Sequence, residues 1–209
     1  MIDIRYQDER LLVCIKPPKI LSTDEPGGLP ELLRAEYGFP ALYTVHRLDR
    51  AAGGLILLAK DSETASQLGR QIMAHGFDKE YLAAVHGCPE PPEGTFSDLL
   101  GRDRARKMTF VAPAPAKGVQ EALLHYTVTA SADGCSLVRI ALCTGRTHQI
   151  RVQFASRGLP LLGERKYSTL DDPCPLALWS CRLAFTHPAT GQRVDVSADP
   201  PRQFPWDLF

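Results

Sequence analysis

HRLDRAAGGLILLAK, residues 46 to 60, sets one carboxylate, Asp49, among His46, Arg47 and Arg50, then runs through Gly53 and Gly54 into an apolar tail ending at Lys60. Residues 55–59 are short, apolar and bounded by glycine and lysine, which predicts a buried strand. Residues 42–45, LYTV, have the same character on the other side. The polar residues 46–50 therefore lie in a loop held between two anchored strands. A carboxylate beside arginines is commonly a salt-bridged surface group. On a loop fixed at both ends it is also a candidate nucleophile or base, kept ionised by a neighbouring guanidinium. Spacing alone does not say which arginine faces it.

Toward the N-terminus, IDIRYQDERLLVCIKPP (residues 2–18) gives two short apolar runs around a polar turn, stopped by Pro17 and Pro18, and predicts a hairpin. LPELLRAEY (29–37) predicts a short helix entered at Pro30 and closed by Gly38 and Pro40. Toward the C-terminus, Asp61, Ser62 and Glu63 precede Ala65, Leu68, Ile72 and Met73 at helical spacing, with Gly76 as the stop. KEYLAAVHG (79–87) alternates Tyr81, Ala83 and Val85 against their neighbours, as a strand does. GCPEPPEGT (87–95) is a Pro/Gly-rich link, of a composition found both between lobes and inside single domains. MTFVA (108–112), ALLHYTVTA (122–130) and SLVRIAL (136–142) predict strands. GRTHQIRVQFASRG (145–158) predicts a helix, and residues 178–198 a hairpin turning at HPATGQ.

The 209 residues, 44% hydrophobic, suffice for one large domain or one domain in two lobes. No apolar run reaches the roughly 20 residues that cross a bilayer, and the N-terminus has no secretory pattern. A soluble, unexported, cytoplasmic protein is the expectation. Six scattered cysteines form no CxxC or CxxH pair, so no zinc site or redox dithiol is indicated. Phosphate-loop, GxGxxG, GxSxG and HExxH patterns are absent, which removes support for nucleotide hydrolysis, hydride transfer and zinc chemistry. With 24 basic against 24 acidic residues, attraction to a polyanion has to be local. The local basic segments are RDRARK (102–107), GRTHQIR (145–151) and ERK (164–166), each of which also suits a solvated surface.

GRTHQIRVQF offers guanidinium, imidazole and amide donors with no carboxylate, a set suited to phosphate or to a buried acid. A solvated amphipathic helix has the same composition. His148 there is a candidate base or a hydrogen-bonded structural residue. Tyr81 is either core or a platform for a flat ligand such as a nucleobase.

Together, these segments resemble the RluA-type family of RNA pseudouridine synthases. HRLD followed by GLILLAK resembles its catalytic-loop motif, KEYLAAVHG its tyrosine motif, and TGRTHQIRV followed by GLPLLGERKY its arginine motif. DERLLVCIKPP and LAFTHPATGQ match in style, so the likeness spans nearly the whole chain. It implies an α+β fold with a mixed, mostly antiparallel sheet in two halves flanked by helices and loops, and an active site in the central cleft. It further implies one catalytic domain over residues 1–209, without a separate S4-like RNA-binding module.

The function so implied is isomerisation of uridine to pseudouridine in ribosomal or transfer RNA, at a structured stem-loop. The resemblance assigns the essential aspartate to Asp49, the tyrosine packed on the target uracil to Tyr81, and the arginine paired with the aspartate to Arg151. Arg47 matches a residue that displaces the target base or fills its place, and Arg146, His148 and Ile150 stand in the arginine motif as substrate contacts. The family uses no metal or organic cofactor, and a monomer is expected. The chain departs from the family at Ala52 and Gly53, Gln153, Leu159 and Glu164, where Thr-Ser, a histidine, GHP and GD are usual. Two rival readings are an RNA-binding or RNA-folding protein with lost turnover, and a metal-free hydrolase using His46 or His148 with Asp49.

Overall fold

The computed structural model describes residues 1–209. It divides into two compact units, Met1–Lys79 with Trp179–Asp199, and Glu80–Leu178 with Pro200–Phe209. The division falls inside two strands. The Pro/Gly-rich residues 87–95 lie wholly within the second unit.

In the first unit, β1 (Ile4–Gln7) and β2 (Leu11–Lys16) form the expected N-terminal hairpin. Asp8 makes its turn, Oδ1 accepting from the backbone N–H of Arg10 and Leu11 at 2.7 and 2.9 Å. All seven residues of β4 (Gly53–Ala59) are buried, as their continuous apolar run predicts. One edge of β4 pairs antiparallel with β2, from Leu11↔Ala59 to Lys16↔Gly54. The other edge is shared by β3 (Tyr43–Thr44), at the C-terminal end, and by β10 (Leu178–Thr186), which runs parallel to its first two residues. β10 turns back at the HPATGQ segment into β11 (Arg193–Ser197), the expected hairpin.

The paired glycines explain the parallel approach. A Cβ on Gly53 would lie 2.7 Å from the Trp179 ring, and one on Gly54, whose φ is +109°, would lie 2.4 Å from the Ser180 carbonyl oxygen. Leu11, Val13, Leu55 and Leu57 pack with Phe77 and Phe185, whose rings stack at 5.5 Å. Each such leucine contributes about 1.5–3 kcal/mol. α1 (Leu29–Tyr37) and α2 (Ser62–Met73) are the two expected helices. Asp61 caps α2 by accepting from Thr64 N–H at 2.7 Å, and the helix stops three residues before Gly76.

The second unit takes most of β5 (Phe77–His86), then β6 (Glu93–Asp103), β7 (Met108–Val111), β8 (Gln120–Ala132) and β9 (Cys135–Leu142). They lie in the order β5-β9-β8-β6-β7, each pair antiparallel. β6 was not anticipated, because Gly94, Asp98 and Gly101 interrupt its apolar pattern. α3 (Gln149–Ala155) is half the predicted helix. Residues 145–148 are irregular instead, closing in a turn at 147–148. The buried Gln149 side chain draws them in: Oε1 accepts from Arg146 N–H at 3.0 Å and the Thr144 hydroxyl at 2.8 Å. His148, at the N-cap, takes the left-handed conformation with φ +55°. The whole is α+β, mixed by the β4–β10 pairing.

Gly54→Ala should combine strain at positive φ with a clash against strand backbone, and lower the unfolding free energy by about 2–4 kcal/mol. Urea denaturation of the two proteins measures it.

Candidate active site

The loop carrying Asp49 is tied down on both sides of that residue. The Ser22 hydroxyl donates to the Leu48 carbonyl at 3.0 Å and accepts from Leu48 N–H at 3.1 Å. Lys19 N–H donates to the Arg50 carbonyl at 2.7 Å, and Arg50 Nε returns a bond to the Lys19 carbonyl at 2.9 Å. Ala52 N–H closes a turn on the Asp49 carbonyl at 3.1 Å. Asp49 is half-buried, and its neighbours Arg47 and Arg50 are exposed.

Beneath the loop lies Lys16, fully buried, which the sequence reading passed over. Its Nζ donates to the Pro17 and Ile20 carbonyls at 2.9 Å and lies 3.5 Å from that of Arg50. Burial pushes the ammonium down to about 8, while the Asp49 charge draws it upward. Lys16 is thus a cation close enough to act on Asp49. The clue was a lone lysine closing the apolar run LLVCIK.

His46 stands at the start of the loop with its imidazole Nε2 accepting from Leu57 N–H at 3.0 Å, where the edge of β4 is open beyond β3. Burial, aided by the Lys79 charge, pushes its pKa down to about 3. Nδ1 is buried without a hydrogen-bond partner. A neutral ring locked to a strand is a structural support, which removes His46 from the hydrolase reading.

Tyr81, Arg146, His148, Ile150 and Arg151 belong to the second unit, and Arg47 and Asp49 to the first. Tyr81 sits on β5, 6% exposed, opposite Ile140 of β9. Arg146 Nε donates to the Glu121 carbonyl at 2.8 Å, which ties this arginine to β8. Ile150 and Arg151 are buried in the first turn of α3. The family resemblance implies Asp49 as the partner of Arg151; within its own unit, the carboxylate that Arg151 binds is Glu164. Nε and Nη2 of Arg151 donate to Oε2 and Oε1 of Glu164 at 2.6 and 2.7 Å. Glu164 Oε1 also accepts from the backbone N–H of Lys166 and Tyr167, at 2.7 and 3.2 Å. Burial raises the Glu164 pKa, but the Arg151 bonds and charge outweigh it, and the net shift is downward.

Glu164 therefore turns a departure into a feature with a physical account. It stands after Gly163, where φ is +72° and a Cβ would lie 2.3 Å from the Pro175 carbonyl oxygen. Gln153, another departure, donates from Nε2 to Asp98 at 2.7 Å, and Arg157 grips the same carboxylate at 2.9 and 3.1 Å.

A family model described as RNA pseudouridylate synthase matches residues 10–156. The chain is 33% identical over 208 residues to the dual-specificity RNA pseudouridine synthase RluA of Escherichia coli (strain K12), covering 93% of this chain and 91% of that one. It is 33% identical over 189 residues to the chloroplastic RNA pseudouridine synthase 2 of Arabidopsis thaliana, covering 75% of this chain and 43% of the relative. A third relative is the Bacillus subtilis protein YlyB, named an uncharacterized RNA pseudouridine synthase, at 32% over 216 residues, covering 96% and 69%. Among solved structures, human RNA pseudouridylate synthase domain containing 1 superposes with a TM-score of 0.84 at 24% identity, covering 97% of this chain and 85% of that one. Human RNA pseudouridylate synthase domain containing 4 gives 0.81 at 23%, covering 99% and 91%. These two establish the fold.

Arg151→Met should cost about 3–5 kcal/mol, because it strands the buried Glu164 charge. Adding Glu164→Gln should recover about 1–3 kcal/mol, since a neutral amide still accepts the two backbone N–H groups. The pair also sets an acid slope. Glu164 is held below its ordinary 4.5, so its contribution is full above that value and is lost as pH falls through the folded-state pKa. Denaturant titrations of the two variants and the parent at several pH values check both points.

Proposed function

The chain belongs to the family of RNA pseudouridylate synthases, isomerases that convert uridine in RNA to pseudouridine, and we propose that Asp49, Tyr81 and Arg151 carry that reaction here. The N1–C1′ bond breaks, the uracil turns, and C5 joins C1′. The C5 proton leaves to water while N1 takes one up, so no external reactant is needed. Asp49 attacks the extruded nucleotide or promotes departure of the base, Arg151 supplies the positive charge that keeps Asp49 ionised, and Tyr81 packs on the ring. Arg47, exposed two residues before Asp49, displaces the target base. Arg146, His148 and Ile150 contact the substrate.

The observation that carries this reading is the two-sided anchoring of the Asp49 loop. A carboxylate held between Leu48, bonded to Ser22, and Arg50, bonded to Lys19, is pre-positioned, which is worth more to a rate than a mobile group of the same chemistry. The substrate proposed is an accessible uridine in a stem-loop of ribosomal or transfer RNA, where extruding a base costs least. Its phosphates would be met by the local basic segments, since the chain has no net charge. A cytoplasmic monomer completes the proposal. No helix is long and apolar enough to cross a membrane.

RNA carrying tritium at uridine C5 tests the reading. The parent protein should release tritium to water, and Asp49→Asn should release none while keeping its melting temperature. A folded parent that releases none from the total RNA of its host would leave RNA binding without turnover as the better account.

A further inference from the structure

Three basic segments stand apart in the sequence, at residues 102–107, 145–151 and 164–166. All three belong to the second unit, and hydrogen bonds tie them into one patch around the end of the β6–β7 hairpin. Arg102 on β6 and Thr109 on β7 are register partners, so they project from the same face of the hairpin. Nη1 of Arg102 lies 3.5 Å from the Thr147 hydroxyl, and the Thr109 hydroxyl donates to the Thr147 carbonyl at 2.9 Å. From the third segment, Lys166 Nζ donates to the Lys107 carbonyl at 2.9 Å, at the residue where the hairpin turn takes the left-handed conformation, φ +53°. The next residue, Tyr167, accepts the Thr109 N–H at its hydroxyl at 2.9 Å.

The carboxylates of this region leave most of that charge uncompensated. Glu164 is taken by Arg151, and Asp171 by Arg165. Asp103 lies 3.8 Å from Arg106 Nε, a loose and exposed ion pair. Glu121 is next to Arg146, yet the group that Arg146 Nε binds is its backbone carbonyl, at 2.8 Å. Arg102, Arg104, Arg106 and Lys107 are all exposed. A guanidinium has five N–H donors and an ammonium three, so one bond to a carbonyl leaves Arg146 and Lys166 with donors to spare. A chain with no net charge has thus gathered cations in one place.

We propose that the end of the β6–β7 hairpin, with Arg102, Arg104, Arg106, Lys107, Arg146 and Lys166, is a phosphate-binding arm that grips the RNA backbone without regard to base sequence. Guanidinium forks match the paired oxygens of a phosphate, and such contacts fix the position of a strand without reading it. Through Thr147 the patch adjoins the arginine motif. The phosphates it meets therefore belong to nucleotides flanking the extruded uridine. The arm supplies the attraction to a polyanion that the neutral chain as a whole lacks. That the polyanion is RNA rests on the proposed function, whereas the gathering of the cations does not.

Anisotropy of fluorescently labelled, unfractionated transfer RNA, titrated with the full chain over a series of salt concentrations, tests it. Arg104→Gln/Arg106→Gln should flatten the slope of log Kd against log salt by about 1.5, the counterions of two phosphates, and raise Kd about tenfold near 0.1 M salt. Arg104→Gln alone should lose about half of that slope, and it decides the matter should the double variant not fold. Arg70→Gln/Arg202→Gln removes two exposed arginines that lie outside the patch, and should keep the slope of the parent. In tritium release the turn variant should raise KM by a similar factor and leave kcat within about twofold, because the strand is held less tightly while the reacting groups are untouched. An unchanged slope in the turn variants overturns the proposal. An equal loss in Arg70→Gln/Arg202→Gln overturns it too, since net charge rather than a local patch would then be at work. A parent that shows the expected slopes but releases no tritium counts against the proposed function and leaves the arm in place.

Discussion

The hydroxyl of Ser22, bonded both ways to the backbone of Leu48, is the constraint from which the arrangement around Asp49 follows. A flexible loop could not hold a carboxylate in one place. Here residues 16–22 and 46–52 act as a mutual template: Ser22 fixes the residue before Asp49, Lys19 and Arg50 exchange bonds after it, and Lys16 fills the space below with a cation. The paired prolines that end β2 turn the chain into position for this. Gly53 and Gly54 then let β10 come against β4, which anchors the strand into which the loop runs.

A similar logic serves the cation of the second unit. Arg151 projects from a helix of seven residues, too short to be stable alone. Its direction is set from outside, by a carboxylate that a tight glycine turn delivers to the guanidinium. Because Glu164 receives two backbone N–H groups as well as Arg151, its charge is compensated even when fully buried. The two charges proposed to carry the reaction, Asp49 and Arg151, are thus each supported, within their own unit, by residues outside their own segment.

That distance explains what the sequence could and could not disclose. β4 was legible because a fully buried strand has a continuous apolar run, and the Asp49 loop because its polar residues lie between two such runs. The start of α3 was not. Apolar spacing through residues 146–154 mimics a helix, while the Gln149 side chain competes for the backbone that would form its first turn. β6 was hidden by its glycines and by Asp98, whose role is to bind Gln153 and Arg157. The border between units lies within β5 and β10, where no change of composition marks it, rather than in the Pro/Gly-rich link. Ser22 and Glu164 support Leu48 and Arg151 through bonds between separate segments of the chain, and no periodicity announces such bonds. GERKY reads from the sequence as part of the arginine motif, as a basic segment and, at Glu164, as a departure, whereas a carboxylate directly after a glycine, in a motif with a buried arginine, was the available signal for the ion pair.

The steady-state kinetics of Ser22→Ala test most directly whether anchoring of the loop, rather than the presence of an aspartate, makes the site. The variant leaves the two backbone groups of Leu48 unsatisfied, and should lose about 1–3 kcal/mol of stability. In tritium release from uridine-labelled RNA its kcat should fall about 100-fold with KM nearly unchanged, because a displaced carboxylate affects the reacting geometry and leaves RNA binding intact. A folded Ser22→Ala protein with the kcat of the parent would contradict the account.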